Sequence, residues 1–254
     1  MSFRLSRRSL VAGLTASAAT LLAGCDRLAS NEDFRKALFS AENMHKWLQR
    51  SLQNRDALAH EFRVDQRSPI FRPNGTINPG SEEYSALWRE DFVNWRLKVD
   101  GLVARPMSLS LAQLKSMPNR IQTTRHDCVE GWSAIGTWRG VPLQLVLDAA
   151  QLSTRAKYIV FHCLDDMGGG NHYYESVDMI DALHPQTILA FSLNEKPLPV
   201  RNGAPLRLRA ERQLGYKQAK FITRIEAVAD ISAVYGGKGG YWEDVAGYEW
   251  YAGI

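Results

Sequence analysis

The feature that most constrains this chain is the run from Trp95 to Val228, where short strand-like stretches interleave with short helical ones and no unit repeats. Trp95, Leu97 and Val99 alternate with polar residues and stop at Asp100-Gly101, the pattern of a half-buried strand ending in a turn. Ser110 is placed to cap a helix running through Lys115, and Ser176 to cap one reaching Leu183. Lys157 to Cys163 reads as a buried strand, and Phe221 to Val228 alternates again. Elements this short bury their apolar faces only by layering, so the expected fold is an α+β domain with mixed sheets. The three cysteines, Cys25, Cys128 and Cys163, are too few and too widely spaced for a disulfide framework or a structural zinc site. Side-chain burial must hold the fold, and 254 residues, 45% of them apolar, supply enough for one full core or two small ones.

Ahead of that run lies a segment that reads as an address. Arg4, Arg7 and Arg8 precede an uncharged stretch of small and apolar residues that ends Leu22-Ala23-Gly24-Cys25. Ser6-Arg7-Arg8-Ser9-Leu10-Val11 resembles a bacterial twin-arginine signal, which exports proteins already folded around a cofactor. Leu22-Ala23-Gly24-Cys25 resembles a lipobox, with Cys25 as the lipidated first residue, and Asp26 behind it resembles an inner-membrane retention signal. The apolar run is shorter than the roughly 20 residues of a spanning helix. The expectation is therefore a signal over residues 1–24 and a lipid-anchored helical spacer over 25–65. The protein would sit on the periplasmic side of the inner membrane. Within the spacer, Phe34, Leu38, Trp47, Leu48, Leu52 and Leu58 recur at near-helical spacing over residues 31–60, with Ser30 and Asp33 as a cap. Charge follows the same division. The 31 basic and 27 acidic residues give +4, but three of those charges lie in the leader, and the remainder is too small for a general nucleic-acid binder.

Chemistry concentrates in two blocks. The first, Arg125-His126-Asp127-Cys128-Val129-Glu130-Gly131-Trp132-Ser133, sets a thiol among cations and carboxylates. Three readings fit it: a nucleophilic Cys128 with His126 as base, a metal-bound thiolate, or a buried structural cysteine. The second runs from Asn202-Gly203-Ala204-Pro205-Leu206-Arg207 to Gly215-Tyr216-Lys217-Gln218-Ala219-Lys220, where glycines permit close backbone approach and Arg207, Lys217 and Lys220 suit a phosphate. Gly168-Gly169-Gly170 and the Gly236 to Gly240 stretch carry neither a P-loop nor a dinucleotide fingerprint and read as flexible loops.

Taken in order, with Trp138-Arg139-Gly140-Val141-Pro142-Leu143 between them, these blocks resemble the molybdopterin domain of the sulfite oxidase family, over about residue 66 to residue 254. Bacterial exported members of reductase type are the most similar. The resemblance implies one molybdenum on one pterin dithiolene, with Cys128 as the only protein ligand to the metal. It implies oxygen-atom transfer on a sulfur compound, either sulfite oxidation or sulfoxide reduction. Residue by residue, Asn202 and Arg207 match the family's cofactor-binding block, and Gln218, Ala219 and Lys220 the segment that holds the pterin phosphate, with Lys217 adjoining. Asn74 stands for the early pterin-binding Asn, and Cys163 falls where reductase-like members place a pterin-binding Thr. Arg125 and His126 are candidates for contact with pterin or an anionic substrate. No Cys-x-x-Cys-His haem site and no cytochrome b5-like segment occurs, so a separate haem protein is expected to exchange the electrons. No immunoglobulin-like dimerisation domain follows, and a monomer is expected. The aromatic tail, Tyr235, Tyr241, Trp242, Tyr248, Trp250 and Tyr251, either packs over the domain or rims its pocket. The competing classes are a metal-free cysteine hydrolase or transferase using Cys128 and His126, and a non-catalytic lipoprotein binding module.

Overall fold

In the computed structural model, residues 31–254 are described, except for the side chains of residues 35–39 and 42. The twin-arginine and lipobox expectations, including Cys25, fall outside the described residues. Two compact units divide the chain after Leu52. In the first, Glu32–Leu52 forms helix α1. Its cap is Asn31, whose Oδ1 accepts from the N–H groups of Asp33 at 2.9 Å and Phe34 at 3.0 Å; Ser30, expected in that role, is not among the described residues. The helix stops eight residues short of the expected 60. Asn54 turns the chain by accepting at its Oδ1 from Asp56 N–H. Beyond it Phe62 donates to the carbonyl of Thr123 at 2.8 Å, so residues 53–65 belong with the second unit and not with a spacer. No helix among the described residues is long and apolar enough to cross a membrane.

The second unit, Gln53–Ile254, is built on two five-stranded sheets. Helix α2, Glu82–Arg89, starts at Ser81, whose hydroxyl accepts from Tyr84 N–H. Strand β1 (Arg96–Gly101) pairs antiparallel with β2 (Met107–Ser110), and Ser110 caps α3 (Leu111–Ser116) as expected. Strands β3 (Arg120–Asp127) and β4 (Ser133–Pro142) form a hairpin, followed by α4 (Leu143–Ala149). Next come β5 (Tyr158–Asp166), β6 (His172–Asp178), α5 (Met179–Ala182), β7 (Ile188–Leu193), β8 (Lys196–Pro197), β9 (Arg207–Arg209), β10 (Ile222–Val228) and α6 (Tyr241–Ala246). One sheet runs β2-β1-β10-β5-β6 and is mixed, with β1 and β10 parallel. The other runs β3-β4-β7-β8 with β9 on β7, all antiparallel. The α+β architecture is thus the expected one.

Ser176 lies inside β6; Asp178 caps α5 instead, accepting from Ile180 and Asp181 N–H. A carboxylate holds two amide donors where a hydroxyl usually satisfies one. One core joins the sheets: Leu97, Val99, Phe161 and Ile225 from the first and Val141, Leu189 and Leu208 from the second, all essentially sealed from solvent, with Leu143, Val146 and Leu147 of α4. Gly140 makes the sheet possible, because a Cβ there would lie 2.3 Å from the carbonyl oxygen of Leu189, at the register shift between β4 and β7.

Candidate cofactor site

The β3–β4 hairpin places the thiol. Cys128 follows the last residue of β3, its N–H donating to the Trp132 carbonyl at 2.9 Å, and Gly131 closes the turn onto the Cys128 carbonyl with φ near 83°, a conformation that favours glycine. Cys128 is 9% exposed and lines a cavity of about 220 Å³, far larger than a water site. Asn74, Gly75 and Thr76 of the Pro-Asn-Gly loop form another part of the wall, and Asp165, Gln218 and Lys220 a third. Met167, Trp242, Tyr248, Val129 and Glu130 also line it.

Lys220 donates to the main-chain carbonyls of Asn74, at 2.5 Å, and Thr76. Burial, assisted by the charge of Arg207, lowers its pKa to about 7. Asp165 is buried at the end of β5, one carboxylate oxygen has no partner, and desolvation pushes its pKa up to about 6 against the pull of Lys220. Behind this wall Arg207 and Arg209 point to one side of β9, both within cation–π range of Trp138 at 5.0 and 4.5 Å. They differ in their partners. Arg209 is paired with Glu211 through two N–H groups. Arg207 donates only to carbonyls, those of Asn202 (2.9 Å), Gln218 (3.3 Å) and Leu208 (3.4 Å), and burial beside Arg209 drives its pKa well down.

His126 is fully buried, and its Nδ1 accepts from Arg209 at 3.0 Å. Burial and the charges of Arg209 and Arg207 hold its pKa well below 6.5, so the imidazole is neutral. Burial raises the pKa of the Cys128 thiol, against backbone hydrogen bonds from Glu130 and Val129 that pull it down, while the charge of Glu130 adds a smaller upward push. Among the described residues no hydrogen bond links His126 to Cys128. A neutral histidine held by an arginine and a thiol of raised pKa do not form the activated pair that a cysteine hydrolase needs.

Of the residues singled out from sequence, Asn74, Cys128, Gln218 and Lys220 meet in the cavity. His126, Cys163, Asn202, Arg207 and Ala219 are buried but are not lining residues. Two others lie elsewhere. Lys217 is turned into the protein, where its ammonium pairs with Glu243 at 2.8 Å and with Glu175. Arg125 is exposed and pairs with Asp127 at 2.9 Å, away from the cavity. Asp165 and Glu130 were missed. An acid at the inner end of an apolar strand was the available signal for Asp165.

Fold and site together define a molybdopterin-dependent oxidoreductase domain of the sulfite oxidase type. Residues 85–235 match the family described as "Oxidoreductase molybdopterin binding domain", and the chain belongs to that family. It is 35% identical to a provisionally named protein-methionine-sulfoxide reductase subunit, YedZ1, of Azospira oryzae, over 97% of this chain and 87% of that one. It is 42% identical to the catalytic subunit MsrP of the protein-methionine-sulfoxide reductase of Xanthomonas campestris, over 53% of this chain and 45% of that protein. The fold is similar to that of the sulfane dehydrogenase SoxCD from Paracoccus pantotrophus, with a TM-score of 0.52 and 20% identity over 61% of this chain and 41% of that one.

The residues present fit a molybdenum–pterin group. Buried cations without a carboxylate partner are costly unless an anion arrives, and Arg207, with Lys220 at the wall, is suited to a phosphate. Buried acceptors without donors, Asn74 Oδ1, Asp165 Oδ1 and Gln218 Oε1, suit the N–H groups of an aminopyrimidine ring. Cys128 offers the soft ligand that molybdenum takes, and a coordinating metal deprotonates a thiol whatever its free pKa.

Proposed function

We propose that this protein reduces sulfoxides, with methionine sulfoxide as the substrate class, using one molybdenum on one pterin. The observation that carries this reading is the charge of the cavity lining beside Cys128. Glu130 is there, with Val129, Met167, Trp242 and Tyr248, and the only lining cation among the described residues is the buried Lys220. Sulfite is an anion and would meet a carboxylate; a sulfoxide is neutral, and its carbon arms suit apolar and aromatic walls. Arg125, the cation sequence offered for sulfite, is outside.

When bound, the cofactor would supply the two-electron redox chemistry for removing the oxygen of a sulfoxide. The chain's own residues do the rest. Cys128 would hold the metal and Lys220 the phosphate end, with the charge of Arg207 behind it. Asn74, Asp165 and Gln218 orient the ring by accepting its N–H groups. Reduction of a sulfoxide to a sulfide and water takes two protons and two electrons overall. The protons come from solvent, and a separate haem protein supplies the electrons. A relative named as a subunit supports such a partner. The Arg7-Arg8 leader and Cys25 support export of the folded, loaded protein and a lipid anchor on the periplasmic face of the inner membrane. Residues 1–24 act as the signal, and Gln53–Ile254 as the catalytic unit.

The test is turnover by protein matured in a host that makes molybdopterin. Reduced viologen dye with methionine sulfoxide should turn over, and sulfite with ferricyanide should not; the reverse result overturns the reading.

A further inference from the structure

The matched family stretch ends at residue 235, yet two residues of the cavity wall, Trp242 and Tyr248, come after it. Their placement is built rather than incidental. Helix α6 ends at Gly247 with φ near 67°, and the carbonyl of Trp242 accepts from the N–H groups of both Gly247 and Tyr248. That bond folds the chain back so that the Trp242 and Tyr248 rings stack, with centroids 5.8 Å apart and planes 26° apart. Tyr216 packs edge-on to Tyr248 at 5.1 Å, and its hydroxyl donates to the carbonyl of Glu249 at 2.6 Å.

The segment is latched from below. Glu243 reaches from α6 to Lys217, which also pairs with Glu175 of β6, and all three side chains are buried. Trp250 donates to Ser176 Oγ at 2.9 Å, and the main chain of Ala252 bonds to Leu214 and to the Gln213 side chain. The cavity thus receives a rigid aromatic face, carried on a segment outside the matched stretch, beside the thiol of Cys128.

We infer that the stacked Trp242 and Tyr248 form a platform that selects the substrate by its longer carbon arm, and that Lys217 is the positioning residue that holds the platform at the cavity. This rests on the sulfoxide reading. The two methyl groups of dimethyl sulfoxide give such a platform little to cover. The side chain of methionine sulfoxide, with two methylenes leading to a peptide backbone, gives it an apolar strip of the right chemistry.

The experiment uses the molybdenum-loaded enzyme, with metal content checked for each variant. The ratio of kcat/KM for a methionine sulfoxide peptide to that for dimethyl sulfoxide should fall about tenfold in Trp242→Ala and be largely restored in Trp242→Phe. Binding of the matching methionine sulfone peptide, which is not reduced, should weaken about tenfold in Trp242→Ala by calorimetry. Lys217→Met should lower the same ratio while retaining its metal. An unchanged ratio and unchanged sulfone binding in Trp242→Ala overturn the platform; an unchanged ratio in loaded Lys217→Met overturns the latch. If the wild-type enzyme reduces neither sulfoxide, the functional reading itself fails, which is a different result.

Discussion

Cys128, Lys220 and Asp165 occupy one cavity, and each carries a distinct expectation. Replacing Cys128 with Ser should lower turnover by more than about 100-fold, beyond what loss of a residue behind a metal ligand costs, and should change the molybdenum electronic spectrum. Lys220 and Asp165 make stability depend on pH in opposite senses. The pKa of Lys220 is about 7 in the fold against 10.5 in the free side chain, so across that window the unfolded chain binds more protons and stability rises with pH. For Asp165, about 6 against 3.8, the folded protein binds more protons across its window, and stability falls as pH rises. Read as Tm against pH on cofactor-free protein, Asp165→Asn should remove the fall that Asp165 contributes between about pH 3.8 and 6, and Lys220 should contribute a rise from about pH 7 upward. Lys220→Met should remove the alkaline rise, and a bound phosphate should do so too by restoring the lysine's charge. The sequence disclosed Cys128, Gln218 and Lys220 because each sits in a dense local pattern. It disclosed the charge of Lys217 but not its direction, since Glu175 and Glu243 come from β6 and α6, on either side of it in the chain. Asp165 escaped for the same reason: only tertiary packing brings it to the cavity.

At the scale of elements, strands were more legible than helix ends. Alternation marked β1 and β10 to within a residue, because each buries one face against the core. Ser176 misled, since a hydroxyl suits both a cap and a strand, and only the fold shows it bonded to the Gly239 carbonyl and Trp250. The glycine stretch from Gly236 to Gly240, which read as flexible, is packed: a Cβ on Gly239 would lie 2.4 Å from the Trp250 ring. What secures this stretch and α6 is the ion triad. Two carboxylates around one ammonium, all at about 1% exposure or less, leave Glu175 and Glu243 each with an oxygen that has no partner. Removing only the cation strands two buried acids, and Lys217→Met should cost about 3 to 5 kcal/mol. The triple variant Lys217→Met, Glu175→Gln, Glu243→Gln should recover much of that loss, because the three side chains act as one unit. Thermal unfolding of the single and triple variants measures the difference.

At the scale of the whole molecule, the leader proposed for residues 1–24 and the cavity would make one consistent demand. A group held behind Asn74, Lys220 and the aromatic wall would, on the proposed reading, be loaded before export, because a signal of twin-arginine type admits a protein already folded around its cofactor. Lipidated as proposed, Cys25 would add reach. A diacylated and N-acylated cysteine exceeds the two-chain requirement for stable membrane attachment, and attachment confines enzyme and electron donor to one surface. Confinement raises the effective concentration of the donor without any new contact. Cys25→Ala, exported through a cleavable signal, should leave the membrane fraction. Its turnover with a soluble viologen dye should match the parent enzyme, since Cys25 lies far in sequence from every residue of the cavity. Its turnover driven by the membrane's own electron carriers should fall about 100-fold, within the range that tethering contributes. Fractionation followed by both assays tests this. A variant that stays on the membrane argues for an anchor other than the lipid. One that leaves it but keeps full membrane-driven turnover argues for a soluble donor.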